Sequence, residues 1–307
     1  MAAVSETPRI ISIGELLWDI LPSGPRLGGT ATNFAAFSAR LGNRAALASS
    51  LGDDEYGKAT LPLLEKADLD LSLLQQSDRP TGTVDVTFSA ERQPVYIIHT
   101  EVAWDYIRLT DEIVKAAQSA DAVCFGTLAQ RHEVSRSTIR GLVEATSPGC
   151  VRVFDVNLRM PFCTSETLIW SLSHATIVKC SDEELPQVFA LLDRPAPAST
   201  RDAAQTLLQC FPACLLVALS LGSHGCLIAS REAAVTHPGF PIKLVDTVGA
   251  GDAFTAGLTH SYLRGASLAQ MAEVGNLCGS FVASLPEATP QLPPAFLERI
   301  EQVLGER

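Results

Sequence analysis

Apolar and polar residues follow two interleaved rhythms along this chain. Short apolar runs recur at 9–13, 46–49, 122–125, 151–155, 176–179 and 214–220. Their length and continuity fit strands buried on both faces. Segments 33–41, 55–67, 133–146, 182–192 and 200–210 carry apolar residues at three- and four-residue spacing, the helical period. Gly42 stops the first of them, as a glycine just past a helix end commonly does. Three further helices are predicted at 251–264, 267–284 and 294–304. Ser267 and Gln270 make a capping box for the second. That helix also carries Ala269, Ala272, Gly275, Gly279 and Ala283, small residues that admit a close neighbour. Strand and helix alternate in this way throughout most of the chain, which predicts an α/β fold with a largely parallel sheet covered on both faces.

Two segments break the rhythm, 15–27 and 80–108. Within the second, 82–89 and 94–99 alternate with period two, as antiparallel strands do. Together the two segments predict a small β lid beside one main domain over 1–307. No internal repeat, low-complexity tract or long linker divides the chain, and Pro195-Ala196-Pro197 reads as a surface loop.

Composition narrows the function classes. The 307 residues are 47% hydrophobic and 19% charged, enough for a sizeable core. The net charge is -11 and no Lys/Arg block is present, so a nucleic-acid surface is not expected. Any polyphosphate ligand must be met locally by backbone N–H groups and a few cations. Eight cysteines are scattered without a Cys-x-x-Cys pair, and the Cys210/Cys214 spacing lacks a second pair, so zinc is not expected. Met1 to Glu6 has no basic n-region and no apolar stretch reaches membrane length. A reducing, cytoplasmic setting without membrane contact is the expectation.

The densest chemistry lies in Asp246-Thr247-Val248-Gly249-Ala250-Gly251-Asp252-Ala253-Phe254. Three small residues precede an aspartate, and an apolar helical pattern follows. Such a run makes a tight turn that opens a helix with bare N–H groups, a ready anion site. An aspartate there reads in two ways. It is a capping residue, or it is a base that takes a proton from a nucleophile while the N–H groups hold a phosphoryl group. By contrast, Gly52-Asp53-Asp54-Glu55-Tyr56-Gly57-Lys58-Ala59 only imitates a P-loop. Ala59 lacks the hydroxyl for Mg²⁺, and the three acids would face phosphates. It reads as a turn and a helix start. Nor does the glycine pair at 249 and 251 complete a dinucleotide fingerprint, since Phe254 stands where the third glycine belongs.

Five motifs in order resemble the PfkB/ribokinase family of sugar and nucleoside kinases. Segment 246–254 resembles its second signature. Gly28-Gly29-Thr30-Ala31-Thr32-Asn33-Phe34-Ala35, followed by Ala39-Arg40-Leu41-Gly42, resembles its glycine-rich substrate motif. Gly52 to Gly57 resembles its G-x-D-x-x-G turn, Asp155-Val156-Asn157-Leu158-Arg159 its D-x-N-x-R strand end, and Ser220-Leu221-Gly222-Ser223-His224-Gly225 its T-x-G-x-x-G nucleotide loop. The matches run from about residue 10 to 290. The resemblance implies a ribokinase-like three-layer α/β/α fold with a mostly parallel sheet and a β lid. It also implies transfer of a phosphoryl group from Mg-ATP to a sugar hydroxyl.

The resemblance assigns roles residue by residue. Asp252 is the implied base, with Gly249, Ala250, Gly251 and the Asp252 N–H as the anion hole. Asp19 is implied to accept bonds from sugar hydroxyls, Gly28 and Gly29 to let the sugar approach the backbone, and Asn33 to pair with a vicinal diol. The alternative readings are a solvated lid residue for Asp19 and a helix cap for Asn33. Trp18, Trp104 and Tyr106 read either as lid aromatics facing the sugar or as lid packing. Arg159 reads as a phosphate contact or a surface ion-pair partner. On the nucleotide side, Ser220, Gly222 and Gly225 are implied to border the adenine and ribose, with Asn276 near the base. Glu184 falls at the family's N-x-x-E position for Mg²⁺, where Ser181 replaces the Asn and can act through water. A K⁺ site would use carbonyls of Asp246 and Val248 with the loop near 283–290. The stretches Gly14 to Asp19 and Ala103 to Ile107, with the short link to Gly28, look most like the fructokinase branch. Ribokinase, 2-keto-3-deoxygluconate kinase, nucleoside kinase and a non-catalytic sugar sensor remain alternatives. A keto-acid acceptor would call for a cation in the pocket, and Arg108 and Arg131 are the ones available. The lid's strand edges predict a homodimer.

Overall fold

The computed structural model describes residues 7–88 and 94–305. Residues 1–6, and residues 89–93 of the expected lid, lie outside the described residues. The main sheet has nine strands in the order β13-β12-β11-β10-β9-β8-β1-β4-β5. Their ranges are β1 Arg9–Ile13, β4 Arg44–Gly52, β5 Leu74–Ser77, β8 Ala122–Gly126, β9 Val151–Asp155, β10 Ile177–Ser181, β11 Leu216–Ser220, β12 Cys226–Ala229 and β13 Ala234–His237. Pairing is parallel from β5 through β11, and the β11-β12-β13 edge is antiparallel.

The apolar strands bury both faces because helices cover both. On one face Ile11, Ile13, Phe125, Phe154 and Val178 pack with residues of α3 (Asp111–Gln118), α4 (Glu133–Ala145), α5 (Ser165–His174), α6 (Leu185–Leu191) and α7 (Thr200–Cys210). On the other, Ile10, Val153, Ile177 and Leu216 pack with α1 (Thr30–Arg40), α8 (Ala250–Leu263), α9 (Leu268–Ala283) and α10 (Pro294–Gly305). α2 (Glu55–Glu65) contributes Leu64 to a smaller cluster beside β4. The result is the three-layer α/β/α arrangement that the rhythm predicts. The small-residue stripe of α9 has its explanation in α8: a Cβ on Gly275 would meet the Phe254 ring at 2.8 Å, and one on Gly279 would meet the Ala250 carbonyl at 3.1 Å.

The lid is a second, four-stranded sheet, β3-β2-β6-β7. It combines β2 (Leu17–Leu21) and β3 (Gly24–Gly28) with β6 (Gly82–Phe88) and β7 (Pro94–Ile98). It is smaller than the expected 80–108. Residues Ala103–Tyr106 form a 3₁₀ turn that packs into the main core instead. The P-loop imitation is a helix start, with Asp54 capping α2 through the Gly57 N–H and also accepting from Thr81.

Strand order reverses direction between β1 and β8: β4 and β5 continue to one side, β8 to β11 to the other. In open α/β sheets, ligand crevices form outside the carboxyl ends of the strands at such a switch point.

Candidate active site

A cleft of about 890 Å³ opens at these strand ends, roofed by the lid. Glu15 enters it just after β1, Asn157 and Arg159 just after β9, and Lys179 from β10. The lid supplies Leu17, Asp19, Val84 and Val86, and the turn into α8 supplies Val248, Gly249, Gly251 and Asp252.

The α8 turn has the geometry of an anion site. Gly249 is the N-cap residue, in the left-handed region at φ 80°. Its missing Cβ also matters, because one would lie 2.7 Å from the Ala288 carbonyl. The Ala250 N–H donates to the Thr247 carbonyl at 3.2 Å, and the Ala253 N–H starts the helical ladder on Gly249. The N–H groups of Gly251 and Asp252 have no helical acceptor and carry the positive end of the helix dipole. Of the groups expected to hold an anion, the Ala250 N–H is thus engaged within the turn.

Asp252 is no cap. Its carboxylate accepts a hydrogen bond from Asn33 Nδ2 at 2.8 Å. Burial first, and then the Asp155 carboxylate, push its carboxyl up to about 6, against the Asn33 bond and the charge of Lys179. Asn33 lies inside α1, whose first residue is Thr30, so it caps nothing. It faces the cleft, where it orients Asp252. Glu15, buried beside them, is also pushed to about 6 by burial, with Asp252 adding to the effect and its own backbone N–H opposing it. Asp19 sits across the cleft, raised to about 6 chiefly by burial.

The other expected sugar contacts divide. Gly29 lines the cleft, and a Cβ there would strike the Glu15 carbonyl at 2.4 Å. Gly28 stands behind Asp19, leaving room for its carboxylate, which a Cβ would meet at 2.5 Å. Arg159 lines the cleft with an exposed side chain and no carboxylate partner among the described residues. Trp104 does not face the cleft. It is 1% exposed, in the core, with the Arg131 guanidinium stacked 4.0 Å from its ring centroid. Trp18 is also buried and donates to Thr60 Oγ1, and Tyr106 bonds Glu101. Aromatic residue type could not tell a core face from a pocket face; only the three-dimensional packing does. Arg131 is paired with Asp105 at 2.7 Å, and Arg108 is on the surface, so neither serves the cleft.

The nucleotide-side residues form a second, contiguous group beyond β10. Ser220 ends β11 and is the register partner of both Ser181 and Cys226. Asn276 donates to Cys226 Sγ at 3.0 Å and to the Ala272 carbonyl at 2.7 Å, which ties α9 to the strand beside Ser220. Gly222 and Gly225 bound the turn between β11 and β12. None of these four lines the cleft. Glu184 bridges the two groups: Oε1 accepts from the Leu158 N–H at 2.6 Å, Oε2 from the Ser181 N–H at 2.7 Å and its hydroxyl at 3.0 Å. Asp246 is ion-paired with lid residue Arg26 at 3.0 Å, and Val248 is exposed. Among the described residues no group of three or more His, Cys, Asp or Glu could hold a metal ion.

Two residues of the site were missed in the sequence. Lys179 is only 7% exposed and pairs with Asp155 at 3.1 Å, while Thr255 Oγ1 donates to the other Asp155 oxygen at 2.9 Å. The available signal was a lysine inside an apolar strand run, a residue almost never buried unless paired. Glu15 gave the same kind of signal, an acid between apolar neighbours.

The model of the pfkB family carbohydrate kinase matches residues 25–295. Fructokinase-1 of Zea mays is 28% identical over 311 residues, covering 92% of this chain and 94% of that protein. The crystal structure of an uncharacterized sugar kinase from Pyrococcus horikoshii superposes with a TM-score of 0.83 at 26% identity, covering 96% of this chain and 99% of that one. A fructokinase from Vibrio cholerae, solved with fructose, ADP and a calcium ion, superposes at 0.81 with 24% identity, covering 96% and 99%, and shares the fold.

Proposed function

The chain belongs to the pfkB family of carbohydrate kinases and is a phosphotransferase with a sugar acceptor; on that premise we propose that it transfers the γ-phosphoryl of ATP to a primary hydroxyl of fructose, with Asp252 as general base. The observation that carries this reading is the Asp252 carboxylate, half-buried at the open N-terminus of α8 and held by Asn33. Asp252 takes the proton of the attacking hydroxyl. The N–H groups of Gly251 and Asp252 hold the charge of the moving phosphoryl, which needs alignment and charge stabilisation more than covalent help. Asp19, Asn33, Glu15 and Asn157 supply donors and acceptors for several hydroxyls above an apolar wall of Leu17, Val84 and Val86.

A divalent ion fits as a passenger of the nucleotide. Both Glu184 oxygens already accept hydrogen bonds, so Mg²⁺ on the phosphates would meet Glu184 and Ser181 through water, as Mg²⁺ commonly does. Bound, it neutralises phosphate charge. The carbonyls of Asp246 and Val248 with the loop near 283–290, which presses on Gly249 at Ala288, form a proposed K⁺ site. K⁺ raises turnover over Na⁺ on this reading, and equal rates would remove the site.

The acceptor is tested by ADP release with Mg-ATP over ketoses, aldoses, ribonucleosides and keto-deoxy acids. Selective turnover of fructose is expected. Selective turnover of ribose, adenosine or a keto-deoxy acid would replace it, and sugar binding without any turnover would make the protein a sensor. The lid's outer strand β7 exposes Tyr96 and Ile97 at 54% and 52%, which supports a lid-mediated homodimer; a monomer by light scattering at micromolar concentration would contradict it. No helix among the described residues is long and apolar enough to cross a membrane. A cytoplasmic setting is part of the proposal, tested by fractionation of the native cells.

A further inference from the structure

Resting on the phosphoryl-transfer reading above, we propose that Lys179 is a catalytic residue whose ammonium contacts the transferring phosphoryl group, with Asp155 as its positioning residue. Lys179 occupies the middle of β10, between Val178 and Cys180, both fully buried. A strand interior is an expensive place for a cation, and a rigid one. The side chain nevertheless runs to the cleft and lines it together with Gly251 and Asp252.

Its target is the first turn of α8. A Cβ on Gly251 would lie 3.1 Å from Lys179 Nζ, so the absent side chain at 251 is what lets the ammonium lie against that turn. The bare N–H groups of Gly251 and Asp252 and the positive end of the helix converge on the same place. Positive groups crowd there, and the carboxylates beside them among the described residues are already in use. Asp252 is bonded to Asn33, and Asp155 is held by Thr255, whose hydroxyl also contacts the Gly251 carbonyl at 2.9 Å. An ammonium has three donors and Asp155 takes one. A phosphoryl group in flight spreads its charge over three equatorial oxygens. Two backbone N–H groups and one lysine supply three contacts.

The bookkeeping of the step is closed without further reagents. The acceptor oxygen forms its bond to phosphorus as the bond to the ADP oxygen breaks. The hydroxyl proton goes to Asp252. Lys179 keeps its proton throughout, and Asp155 keeps the ammonium aimed. A lysine suits this, since it is a compact charge with rotatable donors.

The alternative is that Lys179 merely neutralises Asp155. Turnover of Lys179→Met, of the double variant Lys179→Met/Asp155→Asn, and of Asp252→Asn separates the two. The expected result is a loss of roughly 10²–10³-fold in kcat for Lys179→Met, the scale of a lost transition-state donor, with KM for ATP and sugar within about threefold. The double variant stays equally slow while its circular dichroism and melting match the wild type. Replacing a buried ion pair by neutral groups of similar volume is often neutral or stabilising, so the double variant carries the test if the single one fails to fold. Recovery of turnover in the double variant, or a loss confined to KM, would overturn the proposal. Full turnover in Asp252→Asn would instead bring down the reading on which it rests.

Discussion

Asn33→Leu isolates what Asn33 does for Asp252. The substitution keeps the side-chain volume nearly constant and deletes the 2.8 Å bond from Asn33 Nδ2 to the Asp252 carboxylate. Burial and Asp155 push that carboxyl up to about 6, and the Asn33 bond opposes them by favouring the ionised form. A hydrogen bond to a charged group contributes about 1.5–3 kcal/mol. At about 1.4 kcal/mol per pKa unit, its loss raises the pKa by roughly one to two units. A general base must be ionised to act, so the acid limb of kcat/KM moves from about pH 6 to about pH 7–8. At pH 7 the ionised fraction falls from about 0.9 to between about 0.1 and 0.5, and kcat/KM falls about two- to tenfold. At pH 9 this ionisation loss is gone, and only the pH-independent loss of the Asn33 sugar contact remains. A pH-rate profile for ADP release reads this directly. An unmoved limb with an equal loss at every pH would refute the reasoning and leave Asn33 as a sugar contact alone.

Three further outcomes follow from the same geometry. Gly249→Ala meets both the left-handed φ and the Ala288 carbonyl, so it lowers the melting temperature by the equivalent of at least about 1–3 kcal/mol and cuts turnover; a variant with wild-type melting and rate would contradict it. Trp104→Ala empties a core position rather than the cleft, which costs about 3–5 kcal/mol in denaturant unfolding while KM for sugar stays within about twofold at temperatures where the variant is folded; a large KM change with little destabilisation would reverse the assignment. Because the Asp252 carboxyl is raised to about 6 in the folded protein, the native state holds its proton more tightly than the unfolded chain, and stability falls as pH rises through about 4 to 6 and stays lower above. Asp252→Asn therefore melts higher than wild type at pH 8 by up to about 3 kcal/mol, with the gain gone near pH 4; scanning calorimetry at the two pH values checks the sign.

Much of the fold was legible because the main strands are apolar runs closed by small or polar residues, and the helices between them keep a strong helical period. What escaped was short or edge-bound. β5, Leu-Gln-Gln-Ser, is a four-residue edge strand with half-exposed polar positions, and β12 and β13 are four residues each. No period can establish itself over that length. α3 is eight residues long. At the site, the α8 turn was readable because glycine and aspartate announce their backbone and chemistry. Trp104 was not, because an aromatic residue suits a core and a pocket equally. Lys179 and Glu15 went unread because charge in an apolar run registers as noise until its surroundings in space are known, the Asp155 carboxylate that pairs with Lys179 and the cleft that Glu15 lines. Asn33 and Asp252, 219 positions apart, are joined only by the packing of α1 on α8.

The central claim is that Asp252 deprotonates a sugar hydroxyl as ATP yields its γ-phosphoryl. The most direct measurement follows ADP and sugar phosphate together, by coupled assay and ³¹P NMR, for wild type and Asp252→Asn with fructose and Mg-ATP. The wild type yields equal amounts of both products. The variant folds, binds both substrates and turns over roughly 10²-fold or more slowly. Near-normal turnover in Asp252→Asn, or ADP without sugar phosphate from the wild type, would contradict it.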